Sequence, residues 1–304
     1  MKGKATLKYI GGVLVFAVGV VIFLYPVVSA LINERSQTTV VNKFEEAVKE
    51  MSEQDKELSF QQAVAYNESL VAHQGILRDP FAASLEQQST VVSFLNVGGV
   101  MGYVEIPSIG LKLPIYEGTS EPVLQSGVGW LNGSSLPVGG ESTNTVLTGH
   151  RGLPTSKLFT DLDKVQIGDE FYIRTVVGIL AYRVIDKKII EPDETIALAI
   201  INGKDRATLL TCHPLSINSH RLLIIGERIP YTGQLDPQTG SGGITGITEF
   251  FENLTPVEKD FTFAIMVTIG VTCLLILLIW RPWSRKKKKK EKEDNDVKKA
   301  RHLR

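Results

Sequence analysis

Two long apolar segments lie near the ends of this 304-residue chain, and a largely polar region separates them. Residues 9–31 and 261–280 contain no charged side chain, and about 20 apolar residues let a helix cross the ~30 Å hydrocarbon core of a bilayer. A cleaved signal peptide is the alternative for the first segment, and a buried core helix for the second. The length of the first segment and the basic block directly after the second favour two transmembrane helices.

The region between these segments begins with a helical pattern. Four apolar residues recur three or four positions apart, at Val41, Phe44, Val48 and Met51. This spacing is typical of one face of an amphipathic helix. A second helical stretch is predicted for residues 60–73, and a loop or helix break for residues 51–58.

The pattern changes to short strands near residue 99. Seven apolar or alternating segments are separated by Gly, Pro, Asn and Ser, at residues 103–107, 111–116, 142–148, 170–176, 180–186, 206–211 and 221–229. Many short strands at such spacing indicate an antiparallel sandwich or barrel rather than a sheet of βαβ units. The fold class is therefore predicted to be all-β, with helices ahead of the sheet.

These patterns divide the chain into six predicted segments. They are a cytoplasmic tip with the first transmembrane helix (1–31), an extracellular helical region (32–98), a β-domain (99–230), a flexible linker (231–260), the second transmembrane helix (261–280) and a basic cytoplasmic tail (281–304).

Charge is segregated along the chain. Of 33 basic and 33 acidic residues, 15 basic and four acidic ones lie in residues 1–31 and 281–304, which leaves 18 basic and 29 acidic residues in 32–260. Basic residues flank both apolar segments on their outer sides, so both termini are predicted to be cytoplasmic and residues 32–260 extracellular, at a cell membrane. An acidic middle region argues against a nucleic-acid partner.

The chain has two cysteines, Cys212 and Cys273. Cys273 lies inside the second apolar segment, so it is not expected to form a disulfide with an extracellular Cys212. An unpaired cysteine in an extracellular domain is either a reactive thiol or a buried structural one. The count leaves both interpretations open.

Three residues near the ends of predicted strands suggest nucleophilic chemistry. Cys212 ends one strand, Arg221 begins the next, and His150 lies 62 residues before Cys212. A thiolate is a nucleophile that a nearby cation stabilises. A histidine can transfer protons to and from an amine, and an arginine can bind substrate or stabilise an oxyanion. These residue types alone make a weak case for a catalytic triad.

Local motifs strengthen that case. Thr211-Cys212 with Arg221 nine residues later, Gly149-His-Arg-Gly-Leu-Pro154, Leu136-Pro-Val-Gly-Gly and Tyr103-Val-Glu-Ile-Pro together resemble class C of the sortase family, the pilin polymerases. The resemblance covers residues 79–229. It implies a closed eight-stranded β-barrel and cleavage of a Leu-Pro-x-Thr-Gly-like sorting signal between Thr and Gly. A cysteine thioester would form and pass to a lysine amine of a pilin subunit, and no cofactor or metal is implied.

The resemblance also assigns roles to residues. Cys212 is expected to be the nucleophile, His150 the general acid and base, and Arg221 the stabiliser of substrate or oxyanion. Asp79-Pro80-Phe81 matches a lid motif in which Asp79 would pair with Arg221 and Phe81 would cover Cys212. An ordinary turn with a buried aromatic residue is the alternative for this tripeptide.

The chain departs from the class C pattern at two places. His213-Pro214-Leu215-Ser216 follows the cysteine where Thr-Pro-Tyr-Gly is common, and Gly129-Trp130-Leu131-Asn132-Gly133 replaces Gly-His-Leu-Glu-Gly. Both departures affect the expected sorting signal. His213 and His220 are expected to point away from the face that carries Cys212.

Three other functions stay open at this stage. A sortase could attach surface proteins to the cell wall, an extracellular cysteine protease would use water as acceptor, and a membrane-tethered binding module would need no reactive thiol.

Overall fold

The computed structural model describes residues 2–72, 77–81 and 93–233. The chain divides into two units, 1–237 and 238–304. The predicted second transmembrane helix with Cys273, most of the predicted linker and the predicted basic tail lie outside the described residues.

Two helices precede the β-domain. Helix α1 spans Lys2–Glu50 and helix α2 spans Glu53–Ala72. Within the described part of the chain, α1 alone is long and apolar enough to cross a membrane, judged by length and composition. The predicted helical region is therefore confirmed, together with one candidate for a membrane-spanning helix.

The break between the helices is shorter than predicted. Only Met51 and Ser52 separate them, so the loop expected over residues 51–58 is wrong from Glu53 onward. The Ser52 Oγ accepts a hydrogen bond from the Asp55 backbone N–H at 3.1 Å and donates one to Asp55 Oδ2 at 2.7 Å. This is a capping interaction that starts a helix directly after Ser52.

Eight strands form a closed barrel. They are β1 Gly102–Ile106, β2 Leu111–Glu117, β3 Val128–Trp130, β4 Thr143–Thr148, β5 Glu170–Thr175, β6 Gly178–Ile190, β7 Asp205–His213 and β8 His220–Ile229. Their order around the barrel is β1-β2-β3-β4-β7-β8-β6-β5. The short helix α3, Glu121–Ser126, lies between β2 and β3. The predicted eight-stranded barrel is thus confirmed.

Two details of the barrel differ from the prediction. The three-residue strand β3 was not predicted, because so short a segment shows no period. The barrel is also not purely antiparallel, since β3 pairs with β2 and β7 pairs with β4 in parallel. Parallel pairing of β4 with β7 puts the carboxyl ends of both strands at the same end of the barrel, next to the start of β8.

The core fills the barrel with large side chains. Trp130, Phe159, Phe171 and Tyr182 are fully buried, and each such side chain contributes about 1.5–3 kcal/mol to folding. The rings of Phe171 and Tyr182 stack with centroids 5.4 Å apart. A Cβ atom at Gly226 would lie 2.5 Å from Phe171, so only glycine allows this ring to pack against β8.

The two helices dock onto the barrel through apolar and polar contacts. Val41 and Phe44 of α1 are buried, as the helical pattern predicted, and the Phe44 ring meets the Tyr103 ring edge-on at 6.3 Å. Asn67 of α2 is buried and bonds both backbone groups of Leu136, at 2.7 Å to the N–H and 3.2 Å to the carbonyl. Paired in this way, the buried amide avoids the cost of an unsatisfied polar group.

Candidate active site

Strand register brings three functional candidates to one end of the barrel. Cys212 of β7 lies directly opposite Arg221 of β8. On the other side of β7, Thr148 pairs with Leu210, the Gly149 N–H donates to the Leu210 carbonyl at 3.1 Å, and the Thr211 hydroxyl donates to the Gly149 carbonyl at 2.7 Å. Continuing this parallel register by two residues brings His150 level with Cys212. The register thus puts Cys212 opposite Arg221 on β7 and β8, and puts the loop that carries His150 next to the end of β7.

The Cys212 thiol is buried, with 6% of the residue exposed. Burial raises its pKa to about 11; the Asp79 carboxylate adds to this rise, while Arg221 and Arg151 oppose it. With such a pKa, roughly one thiol in ten thousand is ionised at pH 7. The cysteine is thus held mainly as a neutral thiol in this conformation.

Arg221 is engaged on both sides of its guanidinium group. Its Nε donates to Asp79 Oδ1 at 2.7 Å and its Nη2 to Asp79 Oδ2 at 2.6 Å, while its Nη1 donates to the carbonyls of Asn218 and His220 at 2.9 Å each. The side chains of Arg221 and Asp79 are only 8% and 10% exposed. A paired, buried fork of this kind is a strong interaction, and it engages all three nitrogens of the guanidinium group.

The Phe81 ring lies near both His150 and Arg221. Its ring centroid lies 5.6 Å from that of His150 and 5.2 Å from the guanidinium carbon of Arg221. Pro80, between Asp79 and Phe81, is buried. The segment 79–81 thus contacts Arg221 through Asp79 and lies near both His150 and Arg221 through Phe81.

His150 has a carboxylate partner. Its Nε2 lies 3.2 Å from Oε2 of Glu121, the first residue of α3. Glu121 Oε1 accepts a bond from Gln125 at 2.8 Å, and this bond, followed by the imidazole, keeps the pKa of Glu121 below its usual range. A carboxylate within hydrogen-bond distance of a histidine nitrogen helps to fix the orientation of the ring.

Comparison with known proteins identifies the fold family. A family model described as Sortase domain matches residues 104–229. The solved structure of sortase C1 from pilus island 1 of group B Streptococcus is 46% identical, covers 67% of this chain and 97% of that chain, and has a TM-score of 0.61. The chain belongs to the sortase family.

Other relatives agree with this assignment. Sortase C of Streptococcus pneumoniae is 46% identical over 65% of this chain and 100% of that chain, with a TM-score of 0.60. Sortase D of Bacillus subtilis is 31% identical over 150 residues, 48% of this chain and 73% of that protein. The similarity to sortases C assigns this sortase to class C, and as a sortase the chain is a cysteine transpeptidase.

Sequence reasoning missed two partners in this sortase. Glu121 was not singled out, because one acidic residue at the start of a six-residue helix is not distinctive. The second is Arg151, directly after His150, which donates from Nη1 to His213 Nδ1 at 3.0 Å and pairs with Asp163 at 2.7 Å. Only tertiary folding shows either contact.

His220 has an acidic partner of its own, and the described residues contain no cluster suited to a metal ion. His220 pairs with Glu191 at 3.2 Å. Among residues 2–72, 77–81 and 93–233, no cluster of three or more His, Cys, Asp or Glu side chains is arranged to hold a metal ion.

Proposed function

We propose that this sortase polymerises pilins at the outer surface of a cell membrane. Its similar solved structures include a sortase C1 of a pilus island and a sortase C described for its pilin substrate specificity. The observation that carries the proposal is the 79–81 segment, in which Asp79 binds the Arg221 fork at 2.7 and 2.6 Å. A lid that pairs with Arg221 would keep the substrate site closed until a sorting peptide enters. This suits an enzyme that binds one specific peptide first and one specific amine afterwards.

The first half of the reaction forms a thioester. The Cys212 thiol gives its proton to His150, the resulting thiolate attacks the threonine carbonyl of a Leu-Pro-x-Thr-Gly-like signal, and Arg221 stabilises the charge on the carbonyl oxygen. The Thr–Gly carbon–nitrogen bond then breaks. His150 donates its proton to the departing glycine amine, so the shortened substrate stays bonded to sulfur.

The second half transfers the acyl group. The side-chain amine of a pilin lysine attacks the thioester carbonyl, and His150 accepts a proton from that amine. The carbon–sulfur bond breaks and an isopeptide bond forms, while Cys212 leaves as thiolate. The cycle consumes no oxidant, reductant or cofactor.

The lid would control the first step. With Asp79 in place, the Cys212 thiol is neutral and Arg221 is occupied, so neither is ready to act. Displacement of residues 79–81 removes the carboxylate and exposes the guanidinium group. Substrate binding and nucleophile activation would therefore occur together.

Two transmembrane helices would hold the enzyme at its substrates. Helix α1 supplies the first, and residues 261–280 the second. The basic residues outside both segments favour cytoplasmic termini and an extracellular barrel. A membrane position brings the barrel close to pilin subunits still held in the same membrane.

The test uses the full chain in lipid nanodiscs with a Leu-Pro-x-Thr-Gly peptide and a pilin domain as amine donor. Mass spectrometry should detect the peptide, up to its threonine, on Cys212 of wild type, faster in the Asp79→Ala/Phe81→Ala variant and absent in Cys212→Ala. Adding the pilin domain should convert the adduct into an isopeptide on a pilin lysine.

The identity of the molecule that accepts the acyl group distinguishes the competing functions. Product on a cell-wall peptide amine but never on pilin lysine would indicate wall attachment instead, and hydrolysis unaffected by any amine would indicate a protease. No adduct with several sorting peptides, even in the lid variant, would contradict the transpeptidase mechanism proposed for Cys212.

A further inference from the structure

His213 occupies a position at which this chain departs from the usual class C sequence. It follows Cys212 on β7, and its Nδ1 lies 3.0 Å from Nη1 of Arg151. An arginine only donates hydrogen bonds, so Nδ1 must accept and the imidazole must carry its proton on Nε2. The contact therefore requires a neutral His213.

Arg151 links His213 to the loop that carries His150. Its side chain is 6% exposed and makes two further contacts, from Nη2 to Asp163 Oδ2 at 2.7 Å and from Nε to the Thr160 carbonyl at 3.2 Å. The same loop is closed by the Phe159 N–H, which donates to the His150 carbonyl at 3.0 Å. Arg151 thus connects the two ends of the loop 150–160. Its contact with His213 also connects this loop to β7, the strand that carries Cys212.

Protonation would turn this contact into a repulsion. A protonated imidazole has no acceptor, and two cations 3 Å apart at this partly buried position repel each other. Burial, and then the Arg151 charge, keep the pKa of His213 below its usual range. The contact therefore persists at neutral pH and is lost as the pH falls below that range.

Other charged groups around His213 modify this balance without removing it. Asp163 favours the protonated form, whereas His220 and Lys187 disfavour it, as Arg151 does. The Lys187 ammonium donates to the carbonyls of Asp163 and Val165. Asp163 is paired with Arg151 and so offsets part of the repulsion, but it does not restore the acceptor that Nδ1 loses when His213 is protonated.

We infer that His213 is a positioning residue: its neutral imidazole holds Arg151, and thereby the His150 loop, in register with Cys212, and its protonation lowers transpeptidation in acid. The inference rests on the proposed roles of Cys212 and His150. It adds a pH-sensitive connection that those roles do not require.

The experiment measures the initial rate of the Cys212 peptide adduct from pH 5 to pH 8, with the full chain in nanodiscs. Asp79→Ala/Phe81→Ala is the parent, so that lid opening does not limit the rate. His213→Asn keeps an acceptor oxygen that does not titrate, and should retain at least about a third of the parent rate at pH 8. The rate at pH 5 divided by the rate at pH 7.5 should be about fivefold higher for His213→Asn than for the parent variant. His213→Lys, a permanent cation, should be slow at every pH.

His220→Asn is the matched control. His220 lies opposite His213 in the β7–β8 register and its side chain pairs with Glu191 rather than Arg151. Its pH profile should follow the parent. An unchanged profile in His213→Asn, or an equal change in His220→Asn, overturns the inference.

A second readout separates this inference from the proposed function. If no variant forms an adduct at any pH, the proposed function fails, and the melting temperature then tests the connection alone. The loss of thermal stability between pH 7.5 and pH 5 should be smaller in His213→Asn than in the parent, and unchanged in His220→Asn. Equal losses in parent and His213→Asn would rule the connection out.

Discussion

At the scale of single residues, opposing effects act on the Cys212 thiol. Burial favours the neutral thiol, and Asp79 favours it further, whereas Arg221 and Arg151 favour the thiolate. Burial prevails, which raises the pKa to about 11. Asp79 of the proposed lid therefore affects the nucleophile candidate twice, through its own charge and by pairing with the guanidinium that would otherwise stabilise the thiolate.

Asp79→Asn should lower the pKa of Cys212. The change removes a negative charge and leaves Arg221 without its carboxylate partner, and both effects favour the thiolate. The measurement is the iodoacetamide alkylation rate of Cys212 as a function of pH. Each unit by which the pKa falls should speed alkylation at pH 8 about tenfold.

The control for this prediction is Asp193→Asn, which removes an exposed carboxylate on the loop after β6. It should leave the alkylation profile at its wild-type position. A midpoint that stays or rises in Asp79→Asn would show that Asp79 does not suppress thiolate formation.

At the scale of elements, helix α1 contacts the two segments next to His150. Gln37 is 8% exposed, and its Nε2 donates to the Ser126 carbonyl and the Ser156 hydroxyl, both at 3.2 Å. One turn earlier, Asn33 Nδ2 donates to the Thr155 carbonyl at 2.8 Å. Ser126 ends the helix that Glu121 begins, and residues 155–156 belong to the loop after His150. The extension of the candidate membrane helix thus supports the surroundings of the imidazole.

Gln37→Leu should weaken this docking. The substitution leaves the buried Ser156 hydroxyl and the partly buried Ser126 carbonyl without their donor, and a lost buried hydrogen bond costs about 1–3 kcal/mol. We expect a lower melting temperature of the full chain in detergent micelles, and slower peptide-adduct formation.

Gln62→Leu on α2 is a suitable comparison for Gln37→Leu, since Gln62 is exposed. It should change stability by less than about 0.5 kcal/mol. Equal melting temperatures for Gln37→Leu and wild type would mean that the amide contacts do not support the site.

At the scale of the whole molecule, the proposal that the barrel is held outside a membrane depends on the charge distribution and the candidate spans. Residues 32–260 carry 18 basic and 29 acidic side chains, while the ends carry 15 basic ones. Helix α1 continues without interruption from its apolar part to Gln37 and Phe44 on the barrel. A single helix thus joins the proposed membrane span to the β-domain.

The topology predicts which parts of the chain an extracellular protease reaches. In intact protoplasts, an epitope tag after residue 304 should be protected, whereas a tag inserted between Asn202 and Gly203, on the exposed loop before β7, should be removed. Permeabilised protoplasts should lose both tags. Loss of the C-terminal tag from intact protoplasts would contradict a cytoplasmic tail.

The pattern of side chains determined much of this architecture. Alternating apolar segments predicted seven of the eight strands, because the period of a half-buried strand is a local property. The β7–β8 hairpin also brings Cys212 and Arg221 together through a short connection. Family motifs, rather than periodicity, pointed to His150 and to Asp79-Pro80-Phe81.

Tertiary structure decided the contacts that link distant parts of the chain. The His150 loop lies beside the end of β7 because β4 pairs in parallel with β7, and Glu121 and Gln37 lie near that loop because α3 and α1 dock there. Arg151 and His213 lie 62 residues apart, and Asp79 and Arg221 lie 142 apart. Hydrophobic periodicity reports which face of an element is buried, whereas hydrogen bonds and ion pairs between elements depend on how those faces pack.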